Sequence, residues 1–319
     1  MKQRGDGQWS GHHDITFAAV AKLYQHLSAP DATIHGVDRS RYAAEVDKAQ
    51  AFQDRALGAG VISNFNGTGR PFPYAGPGPT THSAYANPDA QREHFMADPY
   101  RKGWDNLRLN TEYIFEQLAA AHRSADGEFR HLGAAVHALQ DSYSGAHAWR
   151  EDSVYDGDWT APVQALQVFT PFHALGIEDG RNTHADEFDK PPLHSGSTRA
   201  ATEATYQLLR AHELGRDKPL EQALEAHREA LGPLLRVSAS GVTVNLHPTR
   251  EWSAERDRRL ALEHRSAREW SELGRLNAVL APNPAPGVPG RPEAPAAGSA
   301  RRPERVSRRI TSEAVGRDG

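Results

Sequence analysis

The stretch from Gly127 to Asp152, GEFRHLGAAVHALQDSYSGAHAWRED, constrains the fold of this chain more than any other. Its apolar residues recur at the three-to-four spacing that gives a helix one apolar face. They are Phe129, Leu132, Val136 and Leu139. Glycine and alanine at 133–135 and 138 would let a neighbouring helix approach closely. The pattern predicts a single helix over the whole stretch.

Three potential metal ligands interrupt this apolar pattern. His137 and Asp141 are four residues apart, so both side chains leave the same face of a helix. His147 follows Gly145, which permits a turn that would bring it back towards the pair. An imidazole and a carboxylate one turn apart can chelate a borderline-soft cation such as zinc. The alternative is a half-buried His137 that is simply hydrogen-bonded to Asp141.

The segment HLGAAVHALQDSYSGAH resembles the signature helix of the zinc-dependent phospholipase C / P1-type nuclease superfamily. The shared pattern places a glycine at Gly133 and the three ligands at His137, Asp141 and His147. The chain departs from the family at Gly145, where the family commonly has proline. The resemblance implies an all-α fold, a single helical domain of the phospholipase C/P1 nuclease type with long loops.

Composition limits the kinds of partner and site. A net charge of -4 in 319 residues gives no global basic surface, which argues against nucleic-acid binding by bulk electrostatics. The sequence has no cysteine, so disulfides and thiolate zinc sites are excluded. Any metal must therefore be held by histidine, aspartate or glutamate, and the seventeen histidines supply the commonest of these ligands.

The sequence also bears on localisation. No apolar run approaches the roughly 20 residues of a membrane span. The opening MKQRGDGQWSGHHD lacks the apolar centre of a secretory signal. We expect a protein without transmembrane segment or signal peptide, made in the cytoplasm and, if exported, carried by a specialised secretion system as an effector or toxin.

The first predicted helix begins with a candidate ligand. In the family a histidine precedes a hydrophobic helix as His-x-x-Ile/Val-x-x-x-Ala, and His12, Ile15 and Ala19 fit this spacing, whereas His13 does not. The resemblance therefore implies His12 as a ligand. Secreted members begin with a tryptophan whose amino group and carbonyl bind one metal, but Trp9 is internal here. The third metal would be held differently or be absent.

A second predicted helix covers residues 38–58 and carries Asp47 and Asp54 seven residues apart on one face. The family uses an aspartate from this region to bind the first zinc and to accept the proton of the attacking water. We favour Asp54 over Asp47 for this catalytic role. Either carboxylate could instead be an ordinary solvated charge on the helix surface.

The composition changes over residues 63–88, where glycine, proline, asparagine and aromatic residues predict a long inserted loop. Its aromatic side chains either line a substrate or lipid surface or simply pin the loop. The sequence QREHFMADPY that follows resembles the segment carrying the family's second ligand of the first zinc. This resemblance makes His94 a candidate ligand.

The region from 154 to 192 is predicted to be an irregular crossing. The family closes its remaining zinc site with a histidine followed shortly by a carboxylate. Several pairs qualify by resemblance, in order of preference: His184 with Asp186 or Glu187, then His173 with Glu178, with His194 also near.

The rest of the chain sets the domain organisation. Apolar periodicity predicts further helices at 11–27, 101–124, 195–232 (two helices) and 251–280. Residues 282–319 are rich in proline, glycine, alanine and arginine, and we expect them to be disordered. The predicted organisation is a flexible N-terminus at 1–11, a helical zinc phosphodiesterase domain at 12–281 containing the inserted loop at 63–88, and a disordered tail at 282–319.

The resemblance implies two or three zinc ions. Their ligands would be Asp54, His94, His137 and Asp141 for the first, His147, His184 and Asp186 or Glu187 for the second, and His12 with a bridging Asp141 for the third. Clustered zinc activates water and neutralises charge on a phosphodiester, so the expected reaction is phosphodiester hydrolysis.

The substrate is left open between two classes. Acidic charge and the aromatic loop favour a phospholipase C acting on phospholipid at a membrane surface. The first alternative is a P1-type nuclease acting on single-stranded nucleic acid, for which the loop aromatics would stack bases. The second alternative is a non-catalytic helical protein with one residual structural zinc.

Overall fold

The computed structural model describes residues 11–27, 34, 36–57, 88–98, 100–124, 128–168, 191–245 and 250–280. Most of these residues are helical, as the all-α prediction required, and a small three-stranded sheet accompanies the helices. No helix in these ranges combines the length and the apolarity that crossing a membrane requires.

The elements follow one another in a simple order. The helices of the described ranges are α1 (His12–Leu27), α2 (Arg39–Leu57), α3 (Pro88–Glu93), α4 (Gly103–Arg123), α5 (Glu128–Asp141), α6 (Gly196–Gly215), α7 (Leu220–Leu231) and α8 (Arg250–Leu280). The strands are β1 (Ala148–Arg150), β2 (Val163–Gln167) and β3 (Thr243–Asn245), and short 3-10 helices cover Asp152–Asp156 and Gly232–Leu235.

Apolar periodicity located the long helices correctly. Six of the predicted helices are confirmed, namely α1, α2, α4, α6, α7 and α8. The prediction of a single helix over 127–152 is wrong, because α5 ends at Asp141. The Ser142 hydroxyl donates to Leu139 O at 2.6 Å, and turns through Gly145 lead the chain into β1. Serine side chains that bond local backbone carbonyls favour such helix ends.

Helix α5 is central to the described fold. Helices α2, α4 and α6 all pack against it, and α1 packs against α2 and α6. Every residue of α5 from Leu132 to Asp141 is buried. A Cβ at Gly133 would lie 2.3 Å from the Ala49 Cβ of α2, so glycine is required at this crossing. The expectation that small residues on α5 admit a close helix is confirmed.

The sheet was not predicted. Strands β1 and β2 pair antiparallel, with Ala148 opposite Leu166, and β2 and β3 pair parallel, with Leu166 opposite Val244. Strand β2 lies inside the region 154–192, so the prediction that this whole region is irregular is wrong at 163–167.

The chain separates into a compact unit spanning residues 1–276 and a second unit spanning 277–319. Residues 277–280, at the end of α8, are the described part of the second unit. Three predicted segments lie outside the described residues: the flexible N-terminus apart from Gly11, nearly all of the loop at 63–88, and the tail at 282–319.

Candidate metal centre

The last residue of α5, Asp141, is fully buried and is surrounded by imidazole rings. Its carboxylate oxygens are contacted by ring nitrogens of His94 (3.1 Å), His137 (3.1 Å), His12 (3.3 Å) and His147 (3.5 Å). All four histidine residues are at most 3% exposed. We call these five residues the Asp141 cluster.

Three donor atoms of the cluster form a compact triangle. His137 Nε2 lies 2.9 Å from His94 Nδ1, and both nitrogens lie 3.1 Å from Asp141 Oδ2. Ligands about 2.1 Å from one tetrahedral ion stand about 3.4 Å apart. The three atoms are therefore already nearly as far apart as the ligands of one ion would be. The spacing of His137 and Asp141 on α5 supplies two of them.

The backbone turns sharply just after His94. Phe95, which is fully buried, has φ of 53°, a left-handed conformation that is unusual for a bulky side chain. The turn directs the His94 carbonyl to His147 Nδ1 at 2.7 Å. Asn110 Nδ2 of α4 donates to the carbonyl of Met96, two residues after His94, at 3.1 Å. Packing thus maintains a strained residue beside a candidate ligand, as is common at functional sites.

The small sheet positions His147. The Gln167 N–H of β2 donates to the His147 carbonyl at 2.9 Å, and the Gln167 carbonyl accepts from Ala97 N–H at 2.8 Å. One residue of β2 therefore ties the His94 segment to the His147 segment. Because a carbonyl can only accept, His147 Nδ1 carries a proton towards His94, so His147 would bind a metal ion through Nε2.

Arg150 fixes the turn between Asp141 and His147. Its guanidinium, 2% exposed, donates to Ser142 O and Oγ and to the carbonyls of Ala161 and Leu234, at 2.6 to 2.9 Å. It also stacks 3.9 Å from the Tyr143 ring centroid. Burial lowers the pKa of Arg150. Sequence reasoning missed this residue, because its acceptors come from distant segments.

A buried layer of uncharged polar groups orients His12. His12 Nδ1 donates to Gln140 Oε1 at 2.7 Å, which also accepts from Gln50 Nε2 at 3.0 Å. Gln140 Nε2 in turn donates to the hydroxyls of Thr16 and Thr205 at 3.0 and 3.1 Å. These contacts fix the tautomer of His12 and turn its Nε2 towards the carboxylate of the cluster. Gln140 was not predicted as a functional residue.

The electrostatics favour a permanent negative charge on Asp141. Burial by itself would raise the pKa of this carboxyl, but His147, His137 and His12 hold the pKa of Asp141 well below its usual range. Asp141 is therefore an anionic donor at physiological pH.

The two aspartates proposed on α2 have different outcomes. Asp47 Oδ2 lies 3.0 Å from His13 Nδ1. Asp47, the alternative to Asp54, is therefore paired with His13, the histidine that was not chosen as a ligand. The backbone of Asp54 lies within α2, but its side chain is outside the described residues. Asp54 stays a prediction.

The remaining candidates belong to the second zinc site. Five of them lie outside the described residues: His184, Asp186, Glu187, His173 and Glu178. His194 is described, and it lies exposed in a turn with φ of 66°.

The Asp141 cluster can hold a metal ion. Two overlapping groups, His12 with His137 and Asp141, and His94 with Asp141 and His147, have donor atoms within 4.8 Å of one another. All of these side chains are buried. Imidazole and carboxylate donors suit divalent transition metals, and Asp141 belongs to both groups, so its two oxygens are placed to serve two ions.

Comparisons with known proteins found no matching family model, no matching curated protein and no matching solved structure. Function is therefore inferred from the chemistry of the site.

Proposed function

We propose that this chain is a metal-dependent phosphodiester hydrolase, most simply a zinc phospholipase C that cleaves phospholipid head groups. The observation that carries the proposal is the convergence of four buried imidazoles on the single carboxylate Asp141. A structural zinc site is normally closed by four ligands. Four imidazoles around one shared carboxylate exceed the four ligands of such a site, which favours more than one ion, and hence a reactive centre over a single structural zinc.

Each residue of the cluster has a distinct task in this proposal. Asp141 stays ionised and is shared between the two donor groups, with His94 and His137 on one oxygen and His12 on the other. Zinc, when bound, supplies Lewis acidity, which lowers the pKa of a water molecule and offsets phosphodiester charge. Asp54, carried by α2, is our candidate for the group that accepts the water proton.

The surface near the start of α4 supports a lipid substrate. Tyr100 and Trp104 are 64% and 62% exposed, beside the basic residues Arg101 and Lys102. Tyrosine and tryptophan favour the interface of a bilayer, where basic side chains meet phosphate groups. The net charge of -4 provides no broad basic surface for a polynucleotide.

Metal content and hydrolysis measured together test the proposal. The wild type and the His137→Ala/Asp141→Ala variant would be analysed by elemental mass spectrometry and assayed on phosphatidylcholine vesicles and on single-stranded DNA. We expect the wild type to release phosphorylated head groups and to hold two or three more zinc ions per chain than the variant, which should hydrolyse neither substrate. His26→Ala, on the exposed end of α1, is the histidine control and should keep both properties.

Other outcomes reject specific parts. Cleavage of DNA alone would replace phospholipase C by a P1-type nuclease. One tightly held zinc without hydrolysis would indicate a structural site, and a chain purified without metal that takes up none would reject the whole proposal.

A further inference from the structure

A second buried set of metal-ligand side chains lies at the opposite end of α5 from Asp141. Glu128 is the first residue of α5, His212 and Glu213 lie in α6, and His227 lies in α7. We call these four residues the Glu128 cluster. Their exposed fractions are 6%, 1%, 9% and 0%. The proposed phosphodiesterase function uses none of them.

Three of the four side chains already converge. His212 Nε2 lies 2.9 Å from Glu128 Oε1, and donor atoms of Glu128, His212 and Glu213 all lie within 4.8 Å of one another. Two carboxylates and an imidazole form a donor set that binds divalent first-row transition metals.

Groups outside the cluster orient both carboxylates. Arg216 Nη2 donates to Glu128 Oε2 at 2.6 Å and its Nη1 lies 3.7 Å from Glu213 Oε2, while the Tyr42 hydroxyl donates to Glu213 Oε1 at 2.6 Å. Carboxylates that bind metals are usually oriented by hydrogen bonds of this kind. Glu128 therefore keeps Oε1 turned towards His212, as a ligand would be.

His227 is an independent sign of a missing interaction. The side chain is fully buried, and within the described part of the chain neither ring nitrogen has a hydrogen-bond partner. Its ring stacks on His212, with centroids 6.1 Å apart and planes 13° apart. Burying an imidazole without any polar partner is costly, so such a group needs an explanation. A cation in the neighbouring cluster would supply a partner for one lone pair.

We propose that the Glu128 cluster is a second metal site, in which Glu128, His212 and Glu213 bind a divalent transition-metal ion and His227 supports it as an additional imidazole donor. The site is separate from the Asp141 cluster and does not depend on phosphodiester hydrolysis. It joins α5, α6 and α7, so its ion would stabilise the packing of these helices.

Zinc titration of the full chain tests this site apart from the first one. In the Asp141→Asn background, stripped with a chelator, calorimetry with Zn²⁺ should show one ion bound per chain with a rise in melting temperature. Adding Glu213→Gln, a nearly isosteric change, should weaken this binding at least about 100-fold, because it removes a ligand. Adding His227→Phe should weaken it roughly 10-fold to 100-fold.

Two controls make the result specific. Glu203→Gln changes a carboxylate on the same helix, paired with Lys22, and His26→Ala changes an exposed histidine; both should leave zinc binding unchanged. Circular dichroism would verify that each variant is folded. If the Asp141→Asn background does not fold, zinc per chain in Glu213→Gln alone should fall by one relative to wild type, while hydrolysis stays within a few-fold.

Two results would overturn the proposal. One is no zinc uptake in a folded Asp141→Asn chain, which would leave the cluster as a set of ion pairs around Glu128. The other is uptake that Glu213→Gln does not weaken, which would place the ion elsewhere. Neither result bears on the Asp141 cluster, whose failure would appear as absent hydrolysis in the wild type.

Discussion

The two ends of α5 each bury a carboxylate beside histidines, but different groups neutralise the two charges. At the start of the helix, Glu128 forms ion pairs with Arg216 at 2.6 Å and with His212 at 2.9 Å. At its end, the described partners of Asp141 are four imidazoles at 3.1 to 3.5 Å. Arginine is always charged, whereas an ordinary imidazole is largely neutral at pH 7.

The helix dipole increases this difference. The N-terminus of a helix carries a partial positive charge and the C-terminus a partial negative one. Glu128 lies at the favourable end and Asp141 at the unfavourable one. Arg216 already supplies Glu128 with a permanent cation. A metal ion there would share the site with this guanidinium, so we expect the Glu128 cluster to bind its metal less tightly than the Asp141 cluster.

The largest expected effect is that of Asp141→Asn on activity. Removing the shared anionic donor should eliminate metal retention by the Asp141 cluster and lower hydrolysis about 10³-fold or more, since losing even one electrostatic contact in an active site typically costs 10²–10³-fold. Glu128→Gln should change the rate only a few-fold, because it lies at the other end of α5. Rates on phosphatidylcholine vesicles and metal content measure both effects. An Asp141→Asn variant that keeps the metal content and the activity of the wild type would contradict the proposed role of Asp141.

Arg150→Leu should cause the largest loss of stability. The side chain would leave the buried carbonyls of Ala161 and Leu234 and the Ser142 groups without a donor, and we expect the free energy of unfolding to fall by roughly 3–4 kcal/mol. Urea unfolding measures this change. The Arg150→Lys variant keeps the charge but not the planar guanidinium fork, so its stability should lie between those of the wild type and Arg150→Leu. Equal stability in all three proteins would show that the turn after Asp141 does not need Arg150.

Sequence reasoning found what depends on local spacing. The His137/Asp141 pair follows from a four-residue separation on one helix, and apolar periodicity located α1 and most other helices. His12 and His94 came from resemblance, and the structure brings both to Asp141. The His137/Asp141 pair and the helices are set within about one or two turns of the chain, whereas the approach of His12 and His94 to Asp141 joins distant segments and was inferred only through the resemblance.

What the sequence did not indicate depends on contacts between distant segments. The sheet joins 148–150, 163–167 and 243–245, and strands this short carry little periodicity. Arg150 acts on carbonyls as far away as Leu234. The Glu128–His212 pair spans 84 positions, and Glu128 alone has the pattern of an ordinary acidic residue in a first helical turn.

A third buried carboxyl provides a reference for the comparison. Glu263 of α8 is 6% exposed and accepts a hydrogen bond from the Ser197 hydroxyl. Burial raises the pKa of Glu263 to about 7, whereas the hydroxyls of Ser195 and Ser197 offset this only in part. With hydroxyl groups in place of cations, this carboxyl is kept partly protonated near neutrality.

Glu263→Gln should make stability less dependent on pH. Because the folded-state pKa of about 7 lies above the ordinary 4.5, the folded protein binds the extra proton, and stability is lost as pH rises from about 4.5 to 7. At pH 8 the variant should be more stable by up to roughly 3 kcal/mol, and at pH 4 it should match the wild type. Denaturant unfolding between pH 4 and pH 8 measures this difference in stability.

Glu255→Gln on the same helix is the matched control with the opposite sign. The hydrogen bond from Arg258, with Arg259 nearby, lowers the pKa of Glu255. Its contribution is therefore present at neutral pH and disappears as pH falls through the lowered pKa, so the variant should be less stable at pH 7 only. If the stability of both variants relative to the wild type changed with pH in the same direction, this assignment of charges would be refuted.

The smallest predicted effect concerns the layer behind His12. Gln140→Leu removes the acceptor of His12 Nδ1, so the ring loses the contact that fixes its tautomer. Losing a hydrogen bond that orients a metal-binding histidine typically weakens metal binding about 10-fold to 100-fold. Thr205→Val removes only a hydroxyl that accepts from Gln140, and it should have a smaller effect. Competition with a zinc chelator would rank the three proteins. If Gln140→Leu binds zinc as tightly as the wild type, a bound ion rather than the protein orients His12; a graded loss shows that the fold has placed the imidazole before the metal arrives.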